Sequence, residues 1–157
     1  MPEARLVLML IYSGCRIGEF LRIKRADVNL RTRFIRITAS KTESGKRLVP
    51  IPKRLATWYA DLLGEHKGDY LLCRDDGQPY TYDAFCRAVF RPVMQHFCMK
   101  HTPHECRHTM ASMLDSADVN HTVIKLILGH SLQGVTERVY THKTARELLK
   151  AIDKVCA

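Results

Sequence analysis

One break in period governs what this 157-residue chain can become. From Asp27 to Pro52 the apolar residues stop stepping at three and four and begin to alternate, while both flanks keep helical spacing. Phe34 to Ala39 and Arg47 to Ile51 read as short β runs, and the intervening "KTESG" supplies turn residues and a glycine. Asp27 to Leu30 adds a first short strand. A single β insertion of this size in a helix-patterned chain predicts a mostly α domain carrying a small antiparallel sheet. The length suits one domain with its own core.

The helices announce themselves by their ends. Glu3 to Tyr12 is an apolar helix stopped by Ser13-Gly14, and a second runs from about Cys15 to Lys24. Lys53 to Leu63 follows the sheet, bracketed by Gly64 and Gly68. Thr81 caps a long helix to about Met99, with a kink or break expected at Pro92. Thr102-Pro103-His104-Glu105 is the clearest start in the chain: threonine caps, proline takes the first helical position, and glutamate falls three after the cap. Asn120 opens a short helix that Gly129 closes. A further helical segment is expected over Thr136 to His142, then an amphipathic tail from about Thr144 whose Ala145, Leu148, Leu149 and Ile152 share a side.

Charge narrows the partners. With 25 Lys and Arg against 16 Asp and Glu, the net charge of +9 points to a polyanion, nucleic acid before anionic membrane. No apolar run approaches the 18 residues of a membrane span. The six cysteines carry no secretion signal beside them and read as reduced thiols, in a cytoplasmic, nucleoid setting.

The densest chemistry lies between His96 and His108, where 13 residues hold four histidines and two cysteines. Three uses are open. Cys98, His101, His104 and Cys106 offer zinc-ligating atoms, but in a spacing that straddles a helix cap and fits structural zinc poorly. Lys100 and Arg107 at a helix start could form a phosphate-binding basic surface. Or His104 and Arg107, three apart on one helix face, could belong to a phosphoryl-transfer site with Arg16, Lys41, His130 and Tyr140.

In order and setting these pieces resemble the catalytic domain of tyrosine recombinases, the phage-type integrases. "YSGCRIGEFLRI" resembles the box with the first arginine, and "SKTESGKRLVP" the hairpin with the catalytic lysine. "HTPHECRHT" resembles the His-x-x-Arg box, and "LILGHSLQGVTERVYTH" the Leu-Gly-His segment leading to the nucleophilic tyrosine. The ten-residue step from His130 to Tyr140 resembles integrases of conjugative transposons and related phages most.

The resemblance implies the tyrosine recombinase catalytic-domain fold over residues 1–157, with the N-terminal core-binding and arm-binding domains of family members expected to be absent. It implies a catalytic set of Arg16, Lys41, His104, Arg107, His130 and Tyr140, with Glu19 and His108 in support. No metal or other cofactor is expected. The basic residues Lys24, Arg25 and Lys100 are expected to contact DNA. The implied partners are double-stranded DNA attachment sites, further copies in a synaptic tetramer of the full-length protein, and an excision or directionality factor, with no membrane. The implied activity is site-specific recombination, integrating or excising a mobile element through a covalent 3′-phosphotyrosyl intermediate. A non-catalytic DNA-binding or accessory module on the same fold is the alternative. Apart from the resemblance, Tyr12, Tyr59 and Tyr82 rank equal to Tyr140, and His121 and His142 are ordinary surface residues.

Overall fold

The computed structural model describes residues 1–38, 40, 45–65, 67–130 and 142–157, without the side chains of 142 and 143. Lys41, Tyr140, most of the "KTESG" turn and the expected helix over 136–141 therefore lie outside the described residues.

The expected mostly helical domain with a small antiparallel sheet is what forms. Strands β1 (Val28–Asn29), β2 (Phe34–Ile37) and β3 (Arg47–Pro50) pair in that order. Register sets Ile35 opposite Val49 and Ile37 opposite Arg47. One face of β2 and β3 thus carries Ile35, Ile37 and Val49 into a core with Met9, Leu10, Phe20, Tyr59 and Phe85. Phe34, on the other face, joins a second core of Met110, Leu114, Ile127, Leu148 and Ile152. Each such aliphatic side chain contributes about 1.5–3 kcal/mol on burial, and the sheet is held between the two cores.

Around it run α1 (Pro2–Ser13), α2 (Ile17–Phe20), α3 (Ala56–Glu65), α4 (Tyr82–Phe85), α5 (Arg91–His96), α6 (Pro103–Ser116), α7 (His121–Leu128) and α8 (His142–Val155). Gly14 ends α1 in the left-handed region at φ 60, as its place predicts, and donates its N–H to Ile11 O at 3.0 Å. The second helix is shorter than its period suggests. After Phe20 the chain leaves the helix because Ile23 O accepts from Leu71 N–H at 2.8 Å and Lys24 bridges Tyr70, a pairing with residues far along the chain.

Between α4 and α5 the helix widens into a π turn over Cys86–Phe90, where the Arg91 N–H reaches back five residues to Cys86 O. This is how the segment accommodates Pro92, whose ring would otherwise press on the carbonyl four residues before it. The run ends at His96, three residues short of the expected Met99.

Helix α8 packs on α6, α7 and β3 of its own chain. Arg33 grips Asp153 with two hydrogen bonds of 2.9 and 2.8 Å, and the Lys53 N–H donates to the same carboxylate at 2.9 Å. The amphipathic tail packs its apolar side against these elements, with Leu148 and Ile152 fully buried. No helix of the described residues is long and apolar enough to cross a membrane.

Candidate active site

Three helix ends and one strand start supply the site. Arg16 is the extended residue that precedes α2, at φ −65 and ψ 145. Its backbone N–H donates to Glu19 Oε2 at 3.0 Å and its Nη1 to Oε1 at 3.2 Å. The Arg16 side chain remains half-exposed, so this ion pair contributes little to stability, but it fixes where the guanidinium stands.

Glu19 is only 6% exposed. Burial alone would raise its pKa. Hydrogen bonds and charge from Arg47, with the N–H and charge of Arg16, more than offset that and leave the carboxyl below its ordinary value. It is an ionised anion inside a group of cations.

Arg47 is the residue the motifs do not point to. It is 3% exposed, at the first position of β3. Its Nε donates to Ile127 O at 2.7 Å, at the end of α7. Its Nη1 donates to Gly45 O at 2.7 Å and Glu19 Oε1 at 3.4 Å, and its Nη2 to Glu19 Oε2 at 3.1 Å and Cys15 Sγ at 3.8 Å. Alternation was the available signal: "RLVPI" places Arg47 in register with Val49 and Ile51, both fully buried.

The capped start of α6 forms as expected, with Glu105 Oε2 accepting from the Thr102 N–H at 2.6 Å and from its hydroxyl at 3.0 Å. The backbone bond to Thr102, then His101 and the Thr102 hydroxyl, bring the Glu105 carboxyl down to about 2. One turn further, Arg107 points inward and is 6% exposed. Its Nη1 donates to Gly14 O at 2.8 Å, while Nη2 is buried with no hydrogen-bond partner among the described residues. Burial, then the charges of Arg16 and Arg47, bring the guanidinium down to about 10, still charged at neutral pH.

His104 is exposed and meets His108 edge-on, ring centroids 4.7 Å apart. His108, expected to pack beside Arg107, is exposed instead, and its ring lies against that of His104. His130 follows Gly129, which closes α7 at φ 73. Partial burial, then the charges of Arg107, Arg16 and Arg47, hold its imidazole below the usual value and neutral at pH 7. Arg16 and Glu19 from one box, with Arg107 and His130 from two others, thus share one electrostatic neighbourhood, and Arg47 joins them.

The remaining sequence assignments fall variously. Lys24 and Lys100 are exposed, while Arg25 is half-buried and donates to Leu63 O at 2.5 Å. In the histidine-rich window Cys98 is exposed and Cys106 buried, its thiol pushed by that burial up to about 12. Among the described residues no three His, Cys, Asp or Glu gather as a metal site. Burial drives the phenols of Tyr12 and Tyr59 upward, the opposite of what a nucleophile needs, and Tyr82 is half-exposed.

Guanidinium groups converging where helix ends meet are the apparatus of proteins that hold phosphate oxygens. Residues 1–147 match the phage integrase family, and the chain belongs to it. It is 30% identical over 164 aligned positions to tyrosine recombinase XerA of Pyrococcus furiosus, covering 96% of this chain and 54% of that protein. It is 32% identical over 160 positions to a tyrosine recombinase of Pseudothermotoga lettingae, covering 96% and 53%. Among solved structures, XerA recombinase shares the fold at a TM-score of 0.70 and 22% identity, over 97% of this chain and 51% of that one. The Tn1549 transposon integrase in complex with circular intermediate DNA does so at 0.70 and 22%, over 92% and 56%. The chain spans about half the length of the curated relatives it matches.

Proposed function

We propose that residues 1–157 are the catalytic domain of a site-specific recombinase that cuts and rejoins DNA through Tyr140. The observation that carries this reading is the buried Nη2 of Arg107, without a partner among the described residues and beside the charges of Arg16 and Arg47. A buried charged donor left unmatched is costly, and a phosphate oxygen is the acceptor that best repays it.

In this reading the Tyr140 oxygen attacks the scissile phosphorus and the bond from phosphorus to the 5′-oxygen breaks. Arg16 and Arg107 hold the non-bridging oxygens as their charge grows, the largest catalytic term in such sites. His104 and His130 supply further hydrogen bonds or take the phenol proton. A neutral imidazole such as His130 carries one donor and one acceptor and suits either task. Lys41 protonates the departing 5′-oxygen. The 3′-phosphotyrosyl link keeps the energy of the broken bond, so that a 5′-hydroxyl of another strand displaces the tyrosine and reseals the DNA. The scheme requires no metal.

The substrates are double-stranded attachment sites of a mobile element, met by Lys24, Arg25 and Lys100 and brought together in a synaptic tetramer. Direction is set by an excision factor. Binding weakens as salt rises, because phosphate contacts release counterions.

A nicked duplex that traps the covalent product tests the proposal. The chain forms an adduct at the 3′-phosphate, and Tyr140→Phe forms none. If the wild-type chain binds DNA but yields no adduct, even joined to the remaining half of a relative's length, it is a binding module instead.

A further inference from the structure

We infer that Arg47 is a positioning residue: one guanidinium that ties the hairpin base, the Glu19–Arg16 pair and the end of α7 into a single frame for His130. A guanidinium has five N–H donors in a rigid fork. Arg47 makes five hydrogen bonds: to Ile127 O, Gly45 O, both oxygens of Glu19 and Cys15 Sγ. These acceptors come from three separate parts of the fold. Gly45 precedes β3, Cys15 and Glu19 flank Arg16, and Ile127 lies three residues before His130.

The fit continues past the hydrogen bonds. A Cβ on Gly129 would stand 2.7 Å from Arg47 Nη1 and 2.9 Å from its Cδ, so the turn that delivers His130 rests directly on the fork. None of the five donors is left for substrate. Arg47 therefore acts through its neighbours, by holding Arg16 and His130 at fixed separation. Lysine keeps the charge but has neither the fork nor the five donors, and cannot hold these acceptors together.

The test uses the histidine and arginine side-chain NMR signals of the intact chain, with Arg47→Lys and Arg47→Met. His130 faces the cations Arg107, Arg16, Arg47 and Lys125. In Arg47→Lys the His130 ring signals move; in Arg47→Met its titration midpoint also rises, because a cation is gone. Arg33→Met, which removes the pair with Asp153 at a different site, lowers stability and leaves His130 where it was. Unmoved His130 signals in a folded Arg47→Lys protein overturn the inference, and so does an equal shift in Arg33→Met.

Should the Arg47 variants not fold, the wild type still decides. Separate, slowly exchanging Nη–H signals for Arg47 support a locked fork, and averaged, fast-exchanging ones overturn it. A kinetic arm rests on the proposed recombinase reading: adduct formation by Arg47→Lys falls roughly 10- to 100-fold in rate with KM unchanged. A rise in KM alone overturns the positioning role. Absence of any wild-type adduct counts against the recombinase, while the NMR arm still judges Arg47.

Discussion

Among the described residues Arg47 and Arg107 are the two buried arginines, 3% and 6% exposed, and they are buried in opposite ways. Arg47 has every donor matched by its own chain. Arg107 has Nη1 on the Gly14 carbonyl and Nη2 on nothing among the described residues. The first carries a nearby anion to balance it, Glu19 at 3.1 Å, and the second is pressed by Arg16 and Arg47. A charge satisfied internally belongs to the architecture. One left unsatisfied at a fixed place is prepared for a ligand that brings negative charge and oxygen acceptors.

The contrast breaks most visibly in activity. Under the proposed function Arg107→Met removes a donor to the scissile phosphate, and adduct formation on a nicked duplex falls by about two to three orders of magnitude. Its stability stays level or rises, since a buried unmatched donor costs about 1–3 kcal/mol and the lost Gly14 bond contributes only ~1. A calorimetric Tm well below wild type would place Arg107 among the structural arginines and remove the distinction.

Arg47→Met reverses the pattern in stability. It strands Glu19 in a buried place with half-exposed Arg16 and the Ser40 hydroxyl beside it, and breaking one side of a buried pair costs about 3–5 kcal/mol. Urea unfolding measures it. The double variant Glu19→Gln/Arg47→Met recovers part of the loss, because the uncompensated anion has gone with its partner.

How much of this was legible follows from the range of each interaction. The capped start of α6 rests on residues three apart, and "TPHE" told it fully. The αL ends at Gly14 and Gly129 were equally local. The boxes named Arg16, Arg107 and His130, which the fold gathers. What the sequence concealed depends on distant partners. Alternation marks Arg47 as inward-facing, but its acceptor on α7 lies eighty residues on. The short α2 is decided by pairing with Leu71, and Pro92 warned of a distortion without saying that it would be a π turn.

Acid sharpens the comparison further. The folded Glu19 carboxyl sits below its ordinary value, so its stabilisation is complete above the unfolded pKa of about 4.3 and disappears as pH falls through the folded one. Arg107→Met keeps that acid limb in a plot of unfolding free energy against pH. In Arg47→Met the Glu19 part of it vanishes or changes sign and the limb becomes shallower, because burial then dominates Glu19 and raises its pKa. Glu105 and Asp153, also held low, supply the limb that persists in both.

The smallest effect separates two glycines, each serving one of these arginines. Gly14 closes α1 at φ 60 and gives its carbonyl to Arg107, and Gly129 closes α7 at φ 73 against Arg47. Alanine at either meets the same left-handed strain, about 1–2 kcal/mol. The new methyls meet different neighbours. At position 14 the obstacle is Leu128 Cδ2 at 2.9 Å, the end of an apolar side chain with no hydrogen bonds to lose. At 129 it is Arg47 Nη1 at 2.7 Å, which cannot shift without loosening its bonds to Gly45 and Glu19. Gly129→Ala is therefore the more destabilising by ~1 kcal/mol, one net hydrogen bond, in paired urea titrations. Equal losses would mean that the fork yields as easily as a leucine tip, and that Arg47 is held less firmly than its five bonds imply.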